Sequence, residues 1–186
     1  MKRIICVLLF WLNVCVGSHA TEVNVRYEDK TYFLSAEFNI EATPARVMEV
    51  LTDFENIADL NPAIIESEVQ DSSKVDSLRV RTVVQDCILF FCKSIMRVED
   101  ITRSENEKLE AVVLPLLSDL RSGYAEWVLT QHSLDTIVKY DASMQLKFWI
   151  PPIIRSYVLK KKFKQRVIES VKLLQQKAKE QKLIIQ

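Results

Sequence analysis

Through the middle of the chain, apolar and polar residues trade places one by one. The longest such run is 134–148. There Leu134, Thr136, Val138, Tyr140, Ala142, Met144, Leu146 and Phe148 interleave with Asp135, Lys139, Asp141, Ser143, Gln145 and Lys147, and only Ile137 breaks the outer set. A period of two predicts a strand with one buried and one wet face. Shorter runs predict strands near 30–41, 65–71, 77–88, 91–102, 107–114 and 121–131, with Ala125, Trp127 and Leu129 inward on the last of these. Residues 21–29 fit either an extended arm or an extra edge strand. Gly123, alone in its strand, marks a place for a bulge or a bend.

Two segments switch to helical spacing. Thr43 caps a helix that opens with Pro44, a residue with no N–H to leave unpaired at that position. Val47, Val50, Leu51 and Phe54 then recur at i, i+3, i+4 and i+7, and Ile57 and Leu60 carry the stripe into a second short helix that Asn61-Pro62 ends. Pro151-Pro152 stop the sheet, and 153–180 reads as one long helix with Leu159, Phe163, Val167, Val171, Leu174 and Ala178 on a single stripe. The class is α+β: a curved antiparallel sheet of about seven strands wrapped round a long C-terminal helix, with two short helices after the first strand. No internal repeat or linker divides residues 21–186, which form one domain.

The connections alternate in character. Asp71-Ser72-Ser73-Lys74, Ser104-Glu105-Asn106-Glu107 and Gln131-His132-Ser133 are polar; Ile88-Leu89-Phe90-Phe91, Leu114-Pro115-Leu116-Leu117 and Trp149 to Ile154 are apolar. Successive turns of an antiparallel meander fall at opposite ends of the sheet, so the apolar connections gather at one end. Turns are normally polar, and a clustered apolar rim points to a mouth, a membrane contact or a partner surface.

Residues 1–20 read as a signal peptide, with Lys2-Arg3 before an apolar stretch and Ser18-His19-Ala20 as a small-x-small cleavage site; a retained anchor is the alternative. The chain is therefore expected to be exported, periplasmic or secreted. Cys6 and Cys15 leave with the signal, and an oxidising space makes a disulfide the default for Cys87 and Cys92, against free thiols or a metal. That pairing puts Val80, Thr82 and Val84 on the same face as Lys93, Arg97 and Glu99, which calls for a bulge or an irregular hairpin tip.

Charge is balanced overall, 25 basic against 25 acidic residues, but ten of the basic ones fall in 155–182, where only Glu169 and Glu180 oppose them. This basic helix either complements its own acidic body or meets anionic lipid or an acidic partner.

The order of elements, with Ala42-Thr43-Pro44-Ala45-Arg46-Val47-Met48-Glu49-Val50-Leu51-Thr52-Asp53-Phe54 and then Asn61-Pro62, resembles the START-like (SRPBCC) helix-grip superfamily. Within it the chain looks most like the polyketide cyclase/dehydrase and coenzyme Q-binding branch, whose matching strand often carries a tryptophan, here in Tyr124-Ala125-Glu126-Trp127. The resemblance covers about residues 30–180 and rests on fold-level, mostly apolar motifs. It implies a hydrophobic molecule held between sheet and C-terminal helix: a lipid, sterol, isoprenoid quinone or polyketide. An exported chain departs from a mostly cytosolic or mitochondrial branch, and the Cys87/Cys92 pair looks like an adaptation to an oxidising space.

The expected activity is non-enzymatic binding or transport, with Trp127, Leu129, Tyr140, Met144, Phe148, Leu159 and Phe163 enclosing the ligand. The mouth or membrane contact would be Phe90, Phe91, Leu116, Leu117, Trp149 and Ile153, with Lys160, Lys161 and Lys162 near anionic headgroups. An interaction module with a filled core is the alternative. A cyclase or dehydratase is a further one, with Asp119, Arg121 and Tyr124 near the mouth as its acid/base set. Arg79 and Arg81 alternate on one strand face and are expected in solvent. A phosphate loop needs glycines that this chain lacks, and its basic helix has no aromatic platform for nucleic acid. No cofactor and no metal are expected, and a monomer is.

Overall fold

The structure is a computed structural model and describes residues 22–72, 74, 76–88, 91–104, 107–152 and 154–180, the side chains of Ile88, Phe91 and Ser156 aside. The expectations for the signal peptide, Phe90, Ile153 and the Phe91 side chain lie outside the described residues. Strands β1 (Glu22–Glu28), β2 (Thr31–Ile40), β3 (Ile64–Gln70), β4 (Ser77–Ile88), β5 (Phe91–Ser104), β6 (Lys108–Val113), β7 (Leu120–His132) and β8 (Asp135–Leu146) form one antiparallel sheet in the order β1-β2-β8-β7-β6-β5-β4-β3. Helix α1 (Pro44–Leu51) and a 3-10 segment (Phe54–Asp59) carry the chain from β2 to the far edge, and β3 to β8 meander back to meet β2. Helix α2 (Leu159–Glu180) follows the sheet.

This is the expected α+β helix-grip architecture, with eight strands where about seven were expected. The additional one is β1. Val23 and Val25 pair across to Ala36 and Leu34 and bury their side chains beside them. Asp29 and Lys30, both at positive φ (47° and 66°), make the two-residue turn whose twist suits a hairpin. Leu134, expected inward, sits in the β7–β8 turn and is 84% exposed. The long helix begins at Leu159 rather than 153, because Ile154–Val158 are wound as a π segment. The Arg155 carbonyl in that segment accepts a hydrogen bond of 3.1 Å from the Tyr32 hydroxyl.

The two halves of α2 are held differently. In the C-terminal half Leu174 and Ala178 are buried in the core. There Arg46 of α1 donates to the Lys177 carbonyl at 2.9 Å, and Lys177 pairs with Asp59 at 2.6 Å. Toward the N-terminal half, Leu159, Phe163 and Val167 are only partly buried, because the space beneath them is not filled by protein.

Candidate functional site

That space begins with three small residues in register. Ala111 of β6 faces Ala125 of β7, and Ala125 faces Ala142 of β8, so methyl groups alone cross the middle of the concave face. Gly123, the next inward position on β7, pairs with Met144. Of the three, Ala125 stands on the wall of a cavity of about 350 Å³ that remains between the sheet and α2. Leu34 and Phe38 of β2, Leu51 of α1 and Leu60 and Ile64 before and in β3 line it on one side. Trp127 and Tyr140, stacked with centroids 4.9 Å apart, line the sheet wall with Met144 and Phe148. Leu159, Phe163, Val167 and Val171 line it from α2, and Phe163 meets Tyr32 edge-on at 5.2 Å.

Of the residues expected to enclose a ligand, Trp127, Tyr140, Met144, Phe148, Leu159 and Phe163 therefore stand on the cavity wall. Leu129 does not: it is buried in the core farther along β7, where α1 lies over the sheet. Of the rim residues, Leu116 is 97% and Trp149 72% exposed, and Leu117 is about half exposed. The Lys147 ammonium bonds the carbonyls of Pro115 and Ser118 (2.7 Å to the latter), so two apolar connections meet at one end as the alternation required. Lys162 turns to the cavity, whereas Lys161 stays exposed and neither Lys160 nor Lys161 is on its wall.

One wall is polar, and sequence reasoning did not assign it to the site. The β4–β5 ladder runs without a shift from Ser77 opposite Thr102 to Cys87 opposite Cys92, and the two cysteines form a disulfide. Neither a bulge nor an irregular tip is needed. The inner face itself carries Asp86, Lys93, Arg97 and Glu99, all on the cavity wall. The clash of faces noted above was the signal for these groups.

Their electrostatics are specific. Asp86 accepts from Lys162 at 3.1 Å, from Arg166 at 3.3 Å and from the Cys87 backbone N–H at 2.8 Å. Partial burial is the largest single influence and raises its pKa, but the bonds from Arg166, Lys162 and Cys87 together hold the carboxyl below its ordinary value. Arg97 Nε lies 2.9 Å from Glu99 Oε2, close but not aligned as a hydrogen bond. Lys93 sits 5.1 Å over the Phe148 ring. Thr82, opposite Arg97 on β4, is buried with no partner for its hydroxyl among the described residues. Burial pushes the Tyr140 phenol up to about 12, with Arg97 opposing and Glu99 adding, so it faces the cavity as a neutral hydroxyl.

The cyclase-type set is not assembled. Tyr124 lies on the outer face, where its hydroxyl donates toward Glu110 and Glu126 at 2.6 and 2.7 Å. Those two carboxylates push its pKa up. Asp119 accepts from the Met96 backbone N–H at 2.9 Å, and Arg121 is exposed. Arg79 is not free in solvent either, because it pairs at 2.8 Å with the buried Asp100; Arg81 pairs with Glu66 at 3.0 Å. Among the described residues no group of three His, Cys, Asp or Glu side chains is placed to hold a metal ion. No described helix is long and apolar enough to cross a membrane.

No protein-family model and no curated protein matches the sequence. Solved structures do match. A STAR-related lipid transfer protein from Xanthomonas axonopodis superposes with a TM-score of 0.67 at 14% identity, covering 87% of this chain and 95% of its own. The Zhui aromatase/cyclase from Streptomyces sp. R1128 superposes at 0.64 and 13% identity, covering 80% and 94%. A START superfamily protein from Mycobacterium smegmatis gives 0.61 at 14% identity, covering 79% and 97%. The chain has the START-like helix-grip fold.

Proposed function

We propose that this chain binds and carries a hydrophobic small molecule, such as a lipid, isoprenoid quinone or polyketide-like compound, in the cavity between the sheet and α2. The observation that carries the reading is that cavity, about 350 Å³, apolar over most of its wall and within the range of about 300–1,000 Å³ of small-molecule sites. The fold is shared with a protein named for lipid transfer and with an aromatase/cyclase, so both chemistries stand among its neighbours. Carriage is favoured over cyclisation because Tyr124 faces away from the cavity and Asp119 is held by backbone. An interaction module with a filled core is disfavoured by the cavity itself. Residues 1–20 are proposed to direct export and then be removed, in keeping with the disulfide. The exposed Leu116 and Trp149, which neighbour in sequence the cavity-lining Leu120, Phe148 and Ile150, suit brief contact with a membrane during loading.

The test is a native mass spectrum of the chain made with its leader in an oxidising compartment, beside Ala125→Phe, which fills the middle of the alanine row. The wild type should carry an added species a few hundred daltons heavier that extracts into organic solvent, and Ala125→Phe should lose it while remaining folded. A wild type that stays bare after exposure to a total lipid extract sinks the proposal.

A further inference from the structure

Six charged side chains reach the cavity wall, four cations (Lys93, Arg97, Lys162, Arg166) against two carboxylates (Asp86, Glu99). They are not equally occupied. Lys162 and Arg166 converge on Asp86, and Arg166 also bonds Glu169 at 2.8 Å, so both are satisfied by protein. Lys93 stands opposite Asp86 across the β4–β5 ladder, but among the described residues it makes no ion pair with that or any other carboxylate, and its ammonium lies over the Phe148 ring. Arg97 has Glu99 2.9 Å away, two residues along the same face, but its Nε makes no aligned hydrogen bond among the described residues. Alternate residues of a strand lie about 7 Å apart, and Lys93 and Arg97 stand two such steps apart on one face of β5, with Ile95 between them. Lys93 is exposed at the end of β5 nearest the hairpin tip, while Arg97 is deeper and partly buried. Unspent donors on cations beside an apolar cavity call for an acceptor that also carries negative charge, because charge-assisted bonds are the strong ones.

We propose that the ligand is a single-chain amphiphile with an anionic head, a carboxylate or a phosphate monoester. The head lies at the mouth against Lys93 with Arg97 below it, and the tail runs inward past Phe148 and Met144 toward Trp127. The inference rests on the cavity being a binding site, and adds the class of ligand and its direction. A volume of about 350 Å³, near the lower end of the usual range, suits one chain rather than two. With Glu169 counted beside Arg166, four cations face three carboxylates, and the charge left over, at Lys93, selects an anion over a neutral ester or an ammonium head.

The experiment is calorimetric titration of the delipidated, disulfide-bonded chain at neutral pH with dodecanoic acid, dodecyl phosphate, methyl dodecanoate and dodecanol. Lys93→Glu and the control Lys161→Glu, an equal charge change on the exposed side of α2, are titrated alongside. The wild type and Lys161→Glu should bind the acid or the phosphate roughly tenfold or more tighter than the ester. Lys93→Glu should lose that preference, binding the acid or the phosphate no tighter than the ester. The tighter of acid and phosphate names the natural head chemistry. Equal binding of acid and ester by the wild type, or a preference that survives in Lys93→Glu, overturns this inference and leaves the cavity as a binding site. Binding of none of the four compounds overturns this inference, while the mass spectrum after exposure to a total lipid extract decides separately whether the cavity is a binding site.

Discussion

Val113 of β6 leans into the space where a side chain at Gly123 would begin. A Cβ added there would meet Val113 Cγ2 at 2.5 Å and Val113 Cβ at 3.2 Å, both closer than side chains normally approach. The glycine is not needed for backbone freedom, since its φ is not positive; the bulge lies next to it, between Leu120 and Ser122. Its role is close approach of two strands on the concave face. Gly123→Ala should therefore overpack the wall beside Met144 and lower stability by roughly 1–3 kcal/mol, read as a shift in the urea midpoint with an unchanged slope. A midpoint at or above that of the wild type would mean Val113 has an easy second rotamer. A lone glycine was visible in the chain, but a steric reason for it was not, because Val113 is close only through the β6–β7 pairing.

At the scale of elements, α2 is bolted at its C-terminal half and bridged by ions nearer its start. The bolt is apolar, through Leu174 and Ala178, while the bridge is Asp86 with Lys162 and Arg166. Asp86 is lowered in the fold, so the unfolded chain takes up a proton before the native one does. The stability it contributes is complete above the unfolded aspartate value of about 3.9 and is lost as pH falls through the lower, folded value. Comparison of the wild type with Asp86→Asn in urea, from pH 6 to pH 2, should show a gap of roughly 0.5–1 kcal/mol that closes below about pH 4. The size is modest because the carboxylate keeps about 30% of its exposure. A gap that stays constant with pH would mean Asp86 acts through packing. The helix and its stripe were legible from spacing alone, since i, i+3 and i+4 positions share a face in any helix. The ion bridge was not, because 76 residues separate Lys162 from Asp86 and no local rule connects them.

The whole molecule is an open sheet with two edges, closed on one side by a helix and pinned at one hairpin tip by Cys87–Cys92. The bridge closes a loop of few residues, for which the chain-entropy account gives roughly 2 kcal/mol. Reduction, or Cys87→Ser with Cys92→Ser, should lower stability by about that much without unfolding the chain at room temperature, since the rest of the ladder does not depend on it. Complete loss of structure on reduction would show the sheet to be far less self-sufficient than its core suggests. Alternation fixed the strands, capping fixed α1, and the change of character from turn to turn fixed which connections share an end, because each depends only on nearby residues and on the geometry of an antiparallel meander. Spacing also put Trp127, Tyr140 and Met144 on the inward face. It could not tell a filled core from an empty one: Ala125 looks like any other inward residue of its strand, and only the pairing of the strands and the seat of α2 leave it facing an open space. Nor could it say that Lys93 and Arg97 belong inside, since an inward charge breaks the alternation rule unless a cavity is there to receive it. Local pattern carried most of the elements and of the faces they present, though not β1, the place of Leu134 or the start of α2; register and curvature, which come from pairing across long separations, decided that the sheet and α2 enclose a space and that one wall of it is charged.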